Sequence, residues 1–169
     1  AAYVVLHFLG TAAAIVWVHR RHRSAYPLVR TTLIASTAIA LVGYVVYPAA
    51  PPRLSDLGFV DTVTHSTGLN LSSDLLGGLY NPIAAVPSLH FGYSVIVGAA
   101  MLALASRRVV RIAGVLYPVV MLFVIVATGN HFLFDAAAGG LTVALAWLVA
   151  RRLVARPARA SLALGPRTA

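Results

Sequence analysis

Five long apolar stretches, each close to the length needed to cross a bilayer, constrain the fold of this chain most. They cover residues 3–18, 28–47, 87–105, 109–128 and 132–150. A helix needs roughly 20 apolar residues to span the hydrocarbon core, and fewer where its ends reach the interface. Only 10% of the residues are charged, against about a quarter in a soluble domain. The sequence therefore predicts an all-α, polytopic bundle of transmembrane helices.

The ends of the chain suggest its domain organisation. The first residue is Ala1, inside an apolar run, rather than a methionine. We therefore expect a piece of a longer protein, which leaves room for a sixth span ahead of the five. Residues 1–155 are predicted to form one membrane-embedded domain. Residues 156–169 are predicted to form a basic, disordered tail.

The arginines predict how the chain is oriented in the membrane. Twelve of the thirteen lie in three regions: after the first stretch, between the third and the fourth, and after the fifth. Five spans put these regions on one side, which the positive-inside rule makes cytoplasmic. Arg53 and all four aspartates fall on the other side. Because the positive charges cluster at the ends of apolar stretches, the net charge of +9 does not indicate nucleic-acid binding.

Three short motifs on the extracytoplasmic side carry polar chemistry. Arg53 follows two prolines, Pro87-Ser88-Leu89-His90 opens the third stretch, and His131 precedes Asp135 by four residues at the start of the fifth. A histidine and an aspartate four apart share a helix face. The carboxylate can hold one ring nitrogen of His131 and leave the other free as a nucleophile. The alternative is a polar pair that only holds helices together.

The other two motifs fit the binding of an anion. Proline suits the first turn of a helix, where free N–H groups attract phosphate. Ser88 can add a hydroxyl and His90 can exchange a proton. The guanidinium of Arg53 is suited to phosphate oxygens. A plain helix start at Ser88 and an interfacial Arg53 that binds head groups nonspecifically are the alternatives. An arginine beside the histidines favours an anion over zinc.

These three motifs, in this order, resemble those of the type 2 phosphatidic acid phosphatase superfamily. The resemblance rests on Arg53, Pro87-Ser88-Leu89-His90, and His131 with Asp135. It implies that His131 attacks phosphorus, Asp135 orients the ring and His90 transfers the proton. It also implies that Arg53 and Ser88 bind the phosphoryl oxygens, and that no metal or other cofactor is required.

Departures from the common motifs point to one branch of that superfamily. Leu89 stands where phosphatases commonly carry glycine, residues 124–128 lack the usual Ser-Arg pair, and the chain contains no lysine. This form looks more like the inositol phosphorylceramide synthase branch, the inositolphosphotransferases. The leading hypothesis is therefore a membrane phosphotransferase acting on a phospholipid head group. A lipid phosphatase for phosphatidate or a polyprenyl phosphate, and a non-catalytic lipid-binding or transport protein, are the alternatives.

Several residues have weaker expectations attached to them. His7 is interpreted as a packed or pore-facing polar group, and Pro118 is expected to kink the fourth span. A short interfacial helix is expected near residues 72–76. The remaining histidines and aspartates are interpreted as basic-cluster or loop residues: His19, His22, His65, Asp56, Asp61 and Asp74. For an enzyme, the His90 and His131 rings should lie about 4–7 Å apart.

Overall fold

The structure, a computed structural model, describes residues 2–55, 58 and 83–163, with side chains for 7–55, 58 and 83–155. These residues form five helices and one short 3₁₀ turn, with no strand in the described part. The helices are α1 (Ala2–Arg21), α2 (Tyr26–Val46), α3 (Leu89–Leu104), α4 (Arg108–Ala127) and α5 (Leu133–Ala163), and the 3₁₀ turn is Pro52–Leu54. The predicted all-α helical membrane bundle is confirmed.

The helices differ in how well they suit a membrane span. By length and composition, α2, α4 and the segment Leu133–Ala155 of α5 can cross a membrane, whereas α3 is apolar but shorter. Large apolar side chains on these helices point away from the protein, such as Val45 and Phe123. An apolar exterior of this kind is expected where lipid is the solvent. The five predicted spans correspond in position to the five helices, while the number of crossings stays a prediction.

Three further predictions concern the C-terminal tail, a short helix in the long loop, and a kink at Pro118. Helix α5 continues to Ala163, into the segment for which we predicted a disordered tail. The rest of that tail, and the short helix predicted near residues 72–76, lie outside the described residues. Helix α4 continues without interruption through Pro118.

Helix α3 lies at the centre of the bundle and packs against all four other helices, most extensively against α4. Glycines make two of these contacts very close. A β-carbon on Gly98 of α3 would overlap the carbonyl oxygen of Gly114 on α4, and one on Gly139 of α5 would overlap that of Ser88. Small residues let membrane helices approach to backbone contact. The start of α3 is therefore held directly against the first turns of α5.

Two adjacent glycines allow this contact to be tested. We expect Gly139→Ala to destabilise the protein by about 1–3 kcal/mol, because the added methyl group overlaps backbone that cannot yield. Gly140→Ala is the matched control, since its β-carbon would lie at an ordinary 3.6 Å from Phe91 Cε1. Thermal unfolding of the two purified variants measures the difference. Equal melting temperatures would show that the α3–α5 contact is not as tight as described.

The long connection between α2 and α3 is closed at its base. The Ala49 N–H donates to the Ile83 carbonyl at 2.8 Å, and the Ala85 N–H donates to the Ala49 carbonyl at 3.1 Å. The Tyr44 hydroxyl donates to the Pro87 carbonyl at 3.0 Å. These bonds hold residues 48–55 beside the start of α3.

Candidate active site

The three polar motifs meet at one end of the bundle because of the direction in which each helix runs. Helices α3 and α5 begin at this end, while α2 and α4 finish there. The arginines on either side of the α1–α2 and α3–α4 connections, such as Arg21 and Arg108, lie at the opposite end. The side of the membrane that each end faces stays a prediction.

His131 and Asp135 form a buried pair at the start of α5. The Nδ1 of His131 lies 3.3 Å from Oδ2 of Asp135, and the two residues are 5% and 1% exposed. Oδ2 also accepts the N–H of Phe132 at 2.9 Å, so Asp135 satisfies a backbone donor of the first helical turn. A carboxylate can only accept, so the Nδ1 of a neutral His131 carries the proton and Nε2 presents its lone pair.

That second nitrogen of His131 faces His90. His131 Nε2 lies 3.4 Å from Nδ1 of His90, and the ring centroids are 5.5 Å apart, within the range expected from the sequence. Reacting atoms meet at about 3–3.5 Å, so nitrogens at this separation leave no room for a phosphoryl group between them. The rings would therefore have to move apart for a phosphoryl group to lie between them.

The end of α4 determines where His131 lies. Gly129 has a positive φ of 63°. Its N–H donates to the Val126 carbonyl at 3.0 Å, and the Asn130 N–H donates to the Ile125 carbonyl at 2.9 Å. This is the Schellman pattern, which ends a helix at a glycine in the left-handed region. It turns the chain sharply from α4 into α5 and brings His131 over the start of α3.

Arg53 binds this same turn in two ways. Its backbone N–H donates to the Gly129 carbonyl at 2.9 Å, and its Nη1 donates to Oδ1 of Asn130 at 2.7 Å. Asn130 is 3% exposed, and its Nδ2 donates in turn to the Thr128 hydroxyl. The structure thus brings Arg53 next to His131, within electrostatic reach of His90.

Ser88 lies at a helix start, the alternative that the sequence left open for it. It is the N-cap of α3, where its hydroxyl accepts the Phe91 N–H at 3.4 Å, and its own N–H donates to the Asp135 carbonyl at 2.9 Å. Pro87 therefore precedes the helix rather than occupying its first turn, so that detail of the prediction was wrong. Serine is a strong N-cap because its side chain satisfies a free backbone donor. The hydroxyl can still donate to a phosphate oxygen while it accepts.

Two residues at the site were not proposed from the sequence. Asn130 precedes His131, and only its place in the turn after Gly129 could have singled it out. His7 on α1 lies with its ring centroid 4.3 Å from that of His90, where the sequence indicated no partner. His19 and His22 lie at the other end of the bundle, as expected for the basic cluster. His65 and the three loop aspartates, Asp56, Asp61 and Asp74, lie outside the described residues.

The described side chains fit an anion better than a cation. Among residues 7–55, 58 and 83–155, no group of three or more histidines and carboxylates is arranged to hold a metal ion. The site instead joins the Arg53 guanidinium and the imidazoles of His90 and His131 at the N-terminus of α3, where Ser88 caps one backbone donor. Guanidinium and a helix N-terminus both favour phosphate oxygens.

Comparison with known proteins gives one result. A family model described as the PAP2 superfamily matches residues 1–149, a range that includes all three motifs. No curated protein and no solved structure matches the chain. Because the family match covers most of the 169 residues, this chain belongs to the PAP2 superfamily, that of the type 2 phosphatidic acid phosphatases.

Proposed function

We propose that this protein is a metal-independent phosphotransferase of the inositolphosphotransferase type, acting on a phospholipid head group at the extracytoplasmic face. Membership of the PAP2 superfamily suggests phosphatase or phosphotransferase activity on lipid phosphates. The observation that carries the proposal is the His131 ring, whose Nδ1 is bound to Asp135 while its Nε2 faces His90. A buried nucleophile, an orienting carboxylate and an adjacent acid are the parts that a covalent phosphoryl transfer needs.

In the first step His131 Nε2 attacks phosphorus. The N–P bond forms as the bond from phosphorus to the diacylglycerol oxygen breaks, and His90 gives that oxygen a proton. Asp135 stabilises the positive charge that the His131 ring acquires. Arg53 neutralises the phosphoryl oxygens where negative charge develops, and Ser88 adds a hydroxyl donor.

In the second step an acceptor hydroxyl replaces the leaving group. His90, now neutral, takes the proton of that hydroxyl while its oxygen attacks phosphorus. The N–P bond breaks, and His131 recovers its lone pair. A lipid or polyol hydroxyl as acceptor makes the protein a transferase, and water makes it a phosphatase.

A phosphodiester donor is favoured over a phosphomonoester by the motif departures. Leu89 replaces the usual glycine, and the chain lacks both the usual lysine and the Ser-Arg pair. Fewer cations suit a phosphodiester, which carries one negative charge, better than a doubly charged phosphomonoester. The family match by itself supports a lipid phosphate phosphatase as the second candidate.

An assay of the purified protein in lipid vesicles, with a chelator present, separates these candidates. Donors labelled at phosphorus are phosphatidylinositol, phosphatidate and a polyprenyl diphosphate, each with and without a hydroxyl-bearing lipid acceptor. We expect labelled phosphate to move from phosphatidylinositol to the acceptor. Release of free inositol phosphate alone, with every acceptor tried, would contradict transfer. Inorganic phosphate from phosphatidate would support the phosphatase, and no turnover would favour a lipid-binding role.

A further inference from the structure

One buried polar residue beside the site has no role in the mechanism above. His7 lies on α1 and is 8% exposed. Its ring centroid lies 4.3 Å from that of His90 and 5.4 Å from that of Tyr93, with the Tyr93 ring stacked at 17°. His90 and Tyr93 are three apart and so neighbours on one face of α3. Helix α1 therefore adds a third imidazole to the His90–His131 pair.

The cost of burying His7 suggests that it has a function. Its Nδ1 is buried and makes no hydrogen bond within the described part of the chain. A buried polar atom without a partner destabilises a protein, and a phenylalanine ring of similar size would avoid that cost. An imidazole is useful at this position if its hydrogen-bonding partner arrives with the substrate.

The position of His7 suggests which part of the substrate that partner belongs to. The His90 ring neighbours both other imidazoles, with centroid distances of 4.3 Å to His7 and 5.5 Å to His131. The phosphorus is attacked from His131, whereas the leaving and entering oxygens exchange their proton with His90. The His7 ring, which contacts His90, is therefore closer to the alcohol that leaves or enters than to the phosphoryl oxygens.

The chemistry of His7 fits an alcohol as well. A neutral imidazole has one donor and one acceptor nitrogen, which matches a hydroxyl group. The arginines of α1, Arg20 and Arg21, lie about 20 Å further along the helix, so α1 brings no positive charge here for an anion.

We propose that His7 binds the hydroxyl-bearing group that leaves from, or is added to, phosphorus beside His90, and that it positions the His90 ring. This inference rests on the proposed function. Nδ1 of His7 meets this group once the His90–His131 contact has opened to admit the substrate. The proposed ligand is the alcohol portion of the lipid, whether a glycerol or another lipid hydroxyl.

The vesicle assay with His7→Phe tests the inference. We expect the melting temperature to stay the same or rise, because an unsatisfied polar atom is removed, while kcat falls about 10- to 100-fold from misplacement of the reacting groups. The KM for the lipid donor should change little, since Arg53 still holds the phosphate. Thr11→Val is the matched control. It removes another buried polar atom without a hydrogen bond among the described residues, one helical turn from His7, and should leave kcat unchanged.

Two results would overturn the inference: a wild-type kcat in His7→Phe, or an equal loss in Thr11→Val. If His7→Phe fails to fold, His7→Gln and His7→Met replace it, because they have similar shapes and only glutamine can hydrogen-bond. Equal kcat values for these two variants would also overturn the inference. If the wild type is active and the His131→Ala variant is inactive, the proposed function is supported, whatever the result for His7. An inactive wild type overturns both.

Discussion

Replacing His131 by alanine is expected to abolish turnover, with a fall in kcat of about 10⁴-fold or more. The variant loses the only nitrogen that Asp135 orients toward the phosphoryl position, and water cannot take over that role in a buried site. His131 is 5% exposed and bonded to Asp135, and the Phe132 N–H still bonds to the Asp135 carboxylate when the ring is removed. The measurement is single-turnover transfer of labelled phosphate, together with acid quenching and recovery of labelled phosphohistidine.

Two variants control for the His131 result. His19→Ala removes an exposed histidine at the opposite end of the bundle and should keep full activity. Asp135→Asn should stay folded, because its amide oxygen can still accept the Phe132 N–H, and should lose activity because the negative charge is gone. Labelled protein from His131→Ala, in the same yield as from wild type, would place the covalent bond on another residue and end the proposed mechanism.

Replacing Arg53 by alanine should lower kcat/KM by about 10²–10³-fold, the usual loss for one donor that stabilises developing charge. Every other arginine belongs to the three basic regions, and the chain has no lysine. Arg53 therefore supplies the main cationic contact with the phosphoryl oxygens. Arg53→Lys should recover part of the loss, because it keeps the charge but not the planar fork that bonds to Asn130.

Arg30→Ala is the matched control for Arg53. Arg30 lies over the Tyr26 ring at 5.6 Å, at the other end of the bundle, and its removal should leave kcat/KM unchanged. The two variants remove the same charge from different ends of the protein. If Arg53→Ala is as mild as Arg30→Ala, the site does not depend on that guanidinium.

The helices could be predicted closely from the sequence, since hydropathy and charge are local properties. Helix α2 runs Tyr26–Val46, against the predicted 28–47, because Arg23 and the loop at Pro48 mark where the apolar stretch meets water. The fifth predicted span reaches residue 150, whereas helix α5 continues to Ala163. Arginines end an apolar stretch without ending a helix, since they are good helix formers.

The site was only partly predictable. His131 and Asp135 stood out because residues four apart share one face of a helix, and His90 stood out because it follows Pro87 and Ser88 at the start of an apolar stretch. His7 had no such signal, because its contact with His90 joins residues 83 positions apart. The contact between Arg53 and Asn130 spans 77 positions, and no short motif could indicate it. A helix start at Ser88 was one of the alternatives from the sequence, but Pro87 was expected inside the first turn rather than before the N-cap.

The sequence by itself determined the helical class, the separation of the arginines from the other polar residues, and the side chains with chemistry to offer. The tertiary structure decided which of these residues meet. Close contacts at Gly98, Gly114 and Gly139 bring helix backbones together, and the Gly129 turn directs His131 toward α3. Such distances depend on how surfaces from distant parts of the chain pack, which is why the contact of His7 with His90 appeared only in three dimensions.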